Sequence, residues 1–146
     1  LGVNYFRKKD RNKAEEYHLK ALGIREEVLD AKHPDLANSY YNLGVNYFRK
    51  KDRNKAEEYH LKALGIREEV LDAKHLDLAD SYLNLGVNYF HKGDYNKAEK
   101  FLLKALEIRE EVLDKDHIDI QVIYWYLVDV YNKSGDSLGA SLYKIK

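Results

Sequence analysis

Leu1-Gly2-Val3-Asn4-Tyr5-Phe6 returns as Leu43-Gly44-Val45-Asn46-Tyr47-Phe48 and again as Leu85-Gly86-Val87-Asn88-Tyr89-Phe90, a period of 42 residues. Residues 1–42 and 43–84 differ only at Pro34/Leu76, Asn38/Asp80 and Tyr41/Leu83, and residues 85–126 keep 26 of the 42 positions of the copy before them. Residues 127–146 are a degraded, truncated copy still marked by Gly135-Asp136 and Ala140. Self-similarity at such a period identifies a stack of supersecondary units, each too small to bury its own apolar face. The chain therefore divides as one array over 1–146: a partial first repeat (1–32), a second (33–74), a third (75–116) and a truncated fourth (117–146).

Each copy reads as two helices. Leu36, Ala37, Tyr40, Leu43, Gly44 and Tyr47 are spaced three and four apart, the pattern of a buried helix face, here termed helix A. Lys51-Asp52 is the expected turn, with Asp52 or Asn54 able to cap the next helix. Ala56, Tyr59, Ala63, Ile66 and Val70 form a second stripe, helix B. Asp35, Asp77 and Asp119 fall in the first turn of successive A helices, where the helix dipole favours an acid, and Pro34 is tolerated there. Gly44 and Gly86 on helix A, and Ala56, Ala63, Ala98 and Ala105 on helix B, allow the backbones to approach closely. The class is all-α, built from antiparallel helix hairpins.

Composition narrows the function. Twenty-five Lys and Arg balance twenty-five Asp and Glu, so no net field draws the chain to nucleic acid or anionic lipid. Cys is absent, which removes disulfides and thiolate metal sites. No apolar run reaches the length of a membrane span and no secretory segment opens the chain, so a cytoplasmic location is expected. Leu1 is not an initiator and Met is absent, from which a fragment of a larger repeat protein is expected. Gly-rich phosphate loops, nucleophile elbows and paired catalytic carboxylates are missing, so catalysis and cofactors are not expected. His33, His75 and His117 occur once per copy. Hairpins at ordinary helix spacing keep them about 10 Å apart, too far to share a zinc ion.

Tyr40, Leu43-Gly44, Tyr47, Ala56 and Ala63 resemble the tetratricopeptide signature, and Gly93-Asp94-Tyr95 adds its turn. The period is longer than that family's usual one. The extension, Ala105-Leu106-Glu107-Ile108-Arg109-Glu110-Glu111-Val112-Leu113-Asp114-Lys115-Asp116-His117, resembles the kinesin light chain class of these repeats. Lys9 and Lys51 depart from the pattern where Gly93 stands, and a left-handed backbone there would cost about 1 kcal/mol. Val128 departs from the small helix A residue, and His18, His60 and Leu102 from the usual helix B aromatic.

The resemblance implies a right-handed superhelix, an α-solenoid, whose concave face is lined by helix A. On that reading the face comprises Asn38, Tyr41, Asn42, Val45, Phe48 and Arg49, then Asp80, Leu83, Asn84, Val87, Phe90 and His91, then Val122, Trp125, Tyr126 and Asp129. Asn42 and Asn84 sit where kinesin light chains also carry asparagine, and an amide can pair with both polar groups of an extended peptide. Tyr41, Trp125 and Tyr126 are large amphipathic side chains of the kind that anchor interfaces. The alternative for Val45, Val87, Phe48 and Phe90 is packing between adjacent A helices. For Trp125 and Tyr126 it is burial beneath a further helix.

The basic set Arg7-Lys8-Lys9, Arg11 and Lys13 recurs as Arg49-Lys50-Lys51, Arg53 and Lys55. Glu26-Glu27, Glu68-Glu69 and Glu110-Glu111 recur on helix B, and both sets read first as solvated faces. The expected role is a scaffold holding a protein or peptide ligand in the helix A groove. The alternative is an array that self-associates, as a homo-oligomer, through its open terminal repeats.

Overall fold

The computed structural model describes residues 2–144, with side chains from Lys8 onward. These residues form seven α-helices: α1 (Gly2–Val28), α2 (Pro34–Arg49), α3 (Arg53–Val70), α4 (Leu76–Lys92), α5 (Tyr95–Val112), α6 (Ile118–Ser134) and α7 (Ser137–Lys144). They divide into two compact units, Leu1–Val70 and Leu71–Lys146. Among the described residues no helix is long and apolar enough to cross a membrane.

The helices α2, α4 and α6 begin the same way. His33, His75 and His117 hold extended backbones, and each imidazole Nδ1 accepts the backbone N–H of Asp35, Asp77 or Asp119 at 3.0–3.1 Å. The three histidines are thus N-caps, each satisfying an otherwise orphaned donor of its own helix. The first-turn aspartates stand where the sequence places them.

Within a hairpin, the A helix glycine meets one side chain of helix B. A Cβ on Gly44 would lie 2.5 Å from the His60 ring, and one on Gly86 would lie 2.8 Å from Leu102 Cγ. The alanines of helix B, Ala56, Ala63, Ala98 and Ala105, are fully buried. Beside this close approach, aromatic pairs stack: Tyr47 on Tyr59 with ring centroids 5.5 Å apart, Tyr89 on Phe101 at 5.6 Å, and Tyr131 on Tyr143 at 5.8 Å. Val128 takes the glycine's repeat position on α6, where the counterpart of His60 and Leu102 is Lys144, at the end of α7.

The turn of the second copy closes through a left-handed residue that is not glycine. Lys51 has φ +65°, and Asp52 N–H donates to the Tyr47 carbonyl at 3.0 Å. Gly93 and Gly135 adopt the same conformation, φ +82° and +83°. Asp52 then accepts the Lys55 N–H at 3.2 Å, the cap the sequence suggests.

The first copy departs from the expected pair of helices. α1 runs unbroken from Gly2 to Val28, through Lys8-Lys9-Asp10-Arg11, although Lys50-Lys51-Asp52-Arg53 form a turn from the same residues. In the second copy, contacts of Leu43, Gly44 and Tyr47 with α3 offset the cost of the left-handed lysine. In the first copy the same residues continue the helix, which retains backbone hydrogen bonds that a turn would lose. One consequence is exposure: Tyr17 and Ile24 are 69% and 64% exposed, whereas Tyr59 and Ile66, at the same repeat positions, are half-buried against α2.

Joints between successive hairpins also repeat. In the first unit Arg25 donates to the Asp35 carbonyl at 3.0 Å and to Ser39 Oγ at 2.6 Å. Tyr40 Oη donates to Glu26, and Tyr47 Oη to Glu15. In the second unit Arg109 donates to the Asp119 carbonyl at 3.1 Å, Tyr124 Oη to Glu110 and Tyr131 Oη to Glu99. Burial, and then the neighbouring carboxylate, pushes the Tyr47 and Tyr124 hydroxyls up to about 12. Lys32 pairs with Glu69 at 2.9 Å and Lys74 with Glu111 at 3.2 Å. The paired helix B glutamates are exposed, as the sequence reads them, and four of them, Glu26, Glu69, Glu110 and Glu111, also hold a tyrosine or a linker lysine.

Candidate peptide-binding face on the A helices

On α2 the residues Asn38, Tyr41, Asn42, Val45, Phe48 and Arg49 follow one another at helical spacing along one stripe. Asn38, Asn42 and Arg49 are exposed; Tyr41, Val45 and Phe48 are half-buried. The stripe is held from below by two arginines. Arg67 Nη2 donates to Asn38 Oδ1 at 3.0 Å, and its guanidinium lies 4.5 Å from the Tyr41 ring centroid. Arg53 donates to the Phe48 carbonyl at 2.8 Å and covers the Phe48 ring at 4.1 Å. Tyr41 also meets the buried His60 ring edge-on at 5.8 Å. Desolvation, reinforced by Arg67, lowers the His60 imidazole to about 4, so it is neutral at physiological pH.

α4 carries the same stripe. Asp80, Leu83, Asn84, Val87 and Phe90 are half-buried and His91 is exposed. Asp80 takes the place of Asn38 and accepts Arg109 Nη2 at 2.6 Å, an ion pair whose arginine side chain is 6% exposed. Phe90 packs between His91, Tyr95 and Tyr126, the last at 6.2 Å on α6. Phe90 therefore bridges neighbouring A helices in this unit, as the packing alternative holds.

On α6, Val122 and Tyr126 are half-buried, Asp129 is exposed, and Trp125 is 62% exposed. Trp125 edges a hollow of about 450 Å³ shared with Gln121, Val128, Asp129, Tyr143 and Lys144. Asn42 and Asn84 lie mid-stripe on their helices. Among the described residues neither amide has a hydrogen-bond partner. Such groups in a half-apolar surface can take up the donors and acceptors of an extended chain.

Two sets of polar residues went unread in the sequence. Arg67 and Arg109 are each 5% exposed although arginine is seldom buried, and Asn46 and Asn88 are buried on the A helices. The signal for the arginines was a charged residue recurring beside Ile66 and Ile108 on the apolar stripe of helix B.

Comparison with known proteins sets these hairpins in a family. The tetratricopeptide repeat family model matches residues 1–69, 40–111 and 77–143. The chain belongs to the tetratricopeptide repeat family. A search of curated protein sequences returned no match. Solved structures similar to this tetratricopeptide chain include BtubC (BKLC) from P. vanneervenii, at TM-score 0.86 and 26% identity, covering 95% of this chain and 56% of that one. A kinesin light chain-like protein of Podosopora anserina with nearly identical TPR-like repeats aligns at TM-score 0.87 and 20% identity, covering 98% of this chain and 68% of that one. The apo form of RapI aligns at TM-score 0.80 and 25% identity over 95% of this chain and 48% of its own. The chain thus spans about half the length of BtubC and RapI. The all-α tetratricopeptide fold and the likeness to kinesin light chain-like repeats stand as the sequence reads them. Tetratricopeptide repeats are protein-interaction scaffolds, and that general role applies to this chain.

Proposed function

We propose that this scaffold holds an extended peptide segment of a partner protein on the exposed stripe of its A helices, binding it without catalysis. The observation that carries the reading is the pair Asn42 and Asn84, equivalent amides without partners, each set among half-buried apolar side chains on its own helix. Arg67 and Arg109 support it by fixing Asn38, Tyr41 and Asp80, so that the surface is pre-ordered and loses little entropy on binding. Trp125 supplies an exposed aromatic of the kind that dominates interface energies. Titration with a peptide library tests the assignment. The double variant Asn42→Ala/Asn84→Ala should lose binding while helical circular dichroism is unchanged; unaltered affinity removes the A helix stripe as the site.

A second reading, self-association through the terminal copies, is favoured by the open Tyr17 and Ile24 on α1, whose counterparts Tyr59 and Ile66 pack beneath an A helix. Light scattering at high micromolar concentration separates the two, since a strict monomer removes self-association.

A further inference from the structure

The chain is neutral as a whole, but its charge is not evenly divided. Residues 1–70 carry fifteen Lys and Arg against twelve Asp and Glu, and residues 71–146 carry ten against thirteen. The excess in the first unit gathers where α1 passes the C-terminal end of α2. There the Arg11 guanidinium donates to the Arg49 carbonyl at 3.2 Å, and Glu15 pairs with Lys50. Further round α1, Lys8, Lys9, Asn12, Lys13 and Glu16 line a shallow depression of about 440 Å³.

Most acids near this edge are already engaged. Glu15 is committed to Lys50, which holds its carboxyl below the usual range, Glu16 is paired with Lys20, and Asp52 caps α3. Lys8, Lys9, Arg49 and Lys51 are exposed and have no carboxylate partner among the described residues, and exposed Lys13 has only the Glu16 carboxylate nearby, which is itself paired with Lys20. Fold stability does not account for them. Lys51 pays for a left-handed backbone that Gly93 adopts freely, and it lies near the positive N-terminal end of α3, where a cation is disfavoured. The same edge of the later copies is depleted: Arg49, Lys50, Lys51, Arg53 and Lys55 correspond to His91, Lys92, Gly93, Tyr95 and Lys97, then to Lys133, Ser134, Gly135, Ser137 and Gly139.

From this charge complementarity we infer that the turn edge of the first unit is a second docking surface, for an aspartate- or glutamate-rich segment of a protein partner. The surface meets the A helix stripe only at Arg49 and otherwise lies outside it. Asp10, Glu16 and Asp52 are interspersed among the cations, which suits a chain of spaced carboxylates better than a continuous string of phosphates.

A fluorescein-labelled glutamate-rich peptide, followed by anisotropy against the whole chain, tests the inference. Binding should appear at low ionic strength and weaken steeply with added salt. The variant Lys8→Glu/Lys9→Glu/Lys13→Glu should weaken it by about tenfold or more, whereas Lys97→Glu/Lys133→Glu should leave it unchanged. Circular dichroism of each variant checks that the helices persist, and Lys51→Glu/Lys55→Glu is a second disruption if the first unfolds α1. Absence of binding, equal affinity of all variants, or tighter binding of single-stranded RNA or anionic vesicles overturns it. Loss of this peptide with Asn42→Ala/Asn84→Ala would move the acidic segment to the A helix stripe, overturning the second surface while leaving the proposed function standing.

Discussion

The α2–α3 and α4–α5 hairpins share most of their sequence, yet the first solves each local problem less favourably. Its turn uses left-handed Lys51 where the second uses Gly93. Its glycine faces buried, neutral His60, whose Nδ1 has no hydrogen-bond partner among the described residues, where the second packs Leu102. Its buried arginine meets the amide of Asn38, where Arg109 meets the carboxylate of Asp80. The scaffold tolerates these changes because the shared contacts, the buried alanines and the stacked aromatics, are kept. The hairpins should therefore differ in stability and in response to pH while keeping one geometry.

Acid should separate them most. His60 titrates near 4 folded and near 6.5 unfolded, so the unfolded chain binds more protons between those values. Its contribution is fully present above pH 6.5 and is lost as pH falls to 4, up to about 3 kcal/mol. Amide exchange in α2 and α3 should accelerate over that window, and His60→Leu should flatten the dependence. A wild-type profile that is already flat there contradicts the account.

Adding a methyl group to each glycine comes next. Gly44→Ala drives a Cβ into a rigid ring at 2.5 Å and should cost about 2 kcal/mol. Gly86→Ala meets the branch of Leu102 at 2.8 Å and should cost about 1 kcal/mol. Urea denaturation should rank the two in that order.

Turn chemistry is smaller. Lys51→Gly should stabilise by about 1 kcal/mol and Gly93→Lys should destabilise by a similar amount, as midpoint shifts of opposite sign. Asp80→Asn, which gives the second hairpin the polar pair of the first, should cost only about 0.5 kcal/mol, because the Asp80 side chain is 41% exposed and its charge is screened. A loss several times larger in calorimetry would show that the carboxylate does more than hold Arg109.

Much of this architecture was legible from period and spacing. Leu43, Gly44 and Tyr47 announced the buried face of helix A, and the stripe from Asn38 to Arg49 is what remains on its other side. The histidine caps were hidden because His is not among the residues that favour that position. Arg67 and Arg109 were hidden because a charge in a sequence reads as solvated until the neighbouring helix is in place. The unbroken α1 is the clearest limit. Lys8-Lys9-Asp10-Arg11 and Lys50-Lys51-Asp52-Arg53 are the same four residues, and tertiary packing alone decides which become a turn.

The central claim, that a partner segment lies along the A helices, is tested most directly by mapping a library-selected peptide onto the chain by amide NMR. The account predicts shifts at the side-chain amides of Asn42 and Asn84 and at the Trp125 indole, with the outer faces of α3 and α5 unmoved. Shifts confined to α3, α5 or the turn edge, with Asn42 and Asn84 undisturbed, would contradict it.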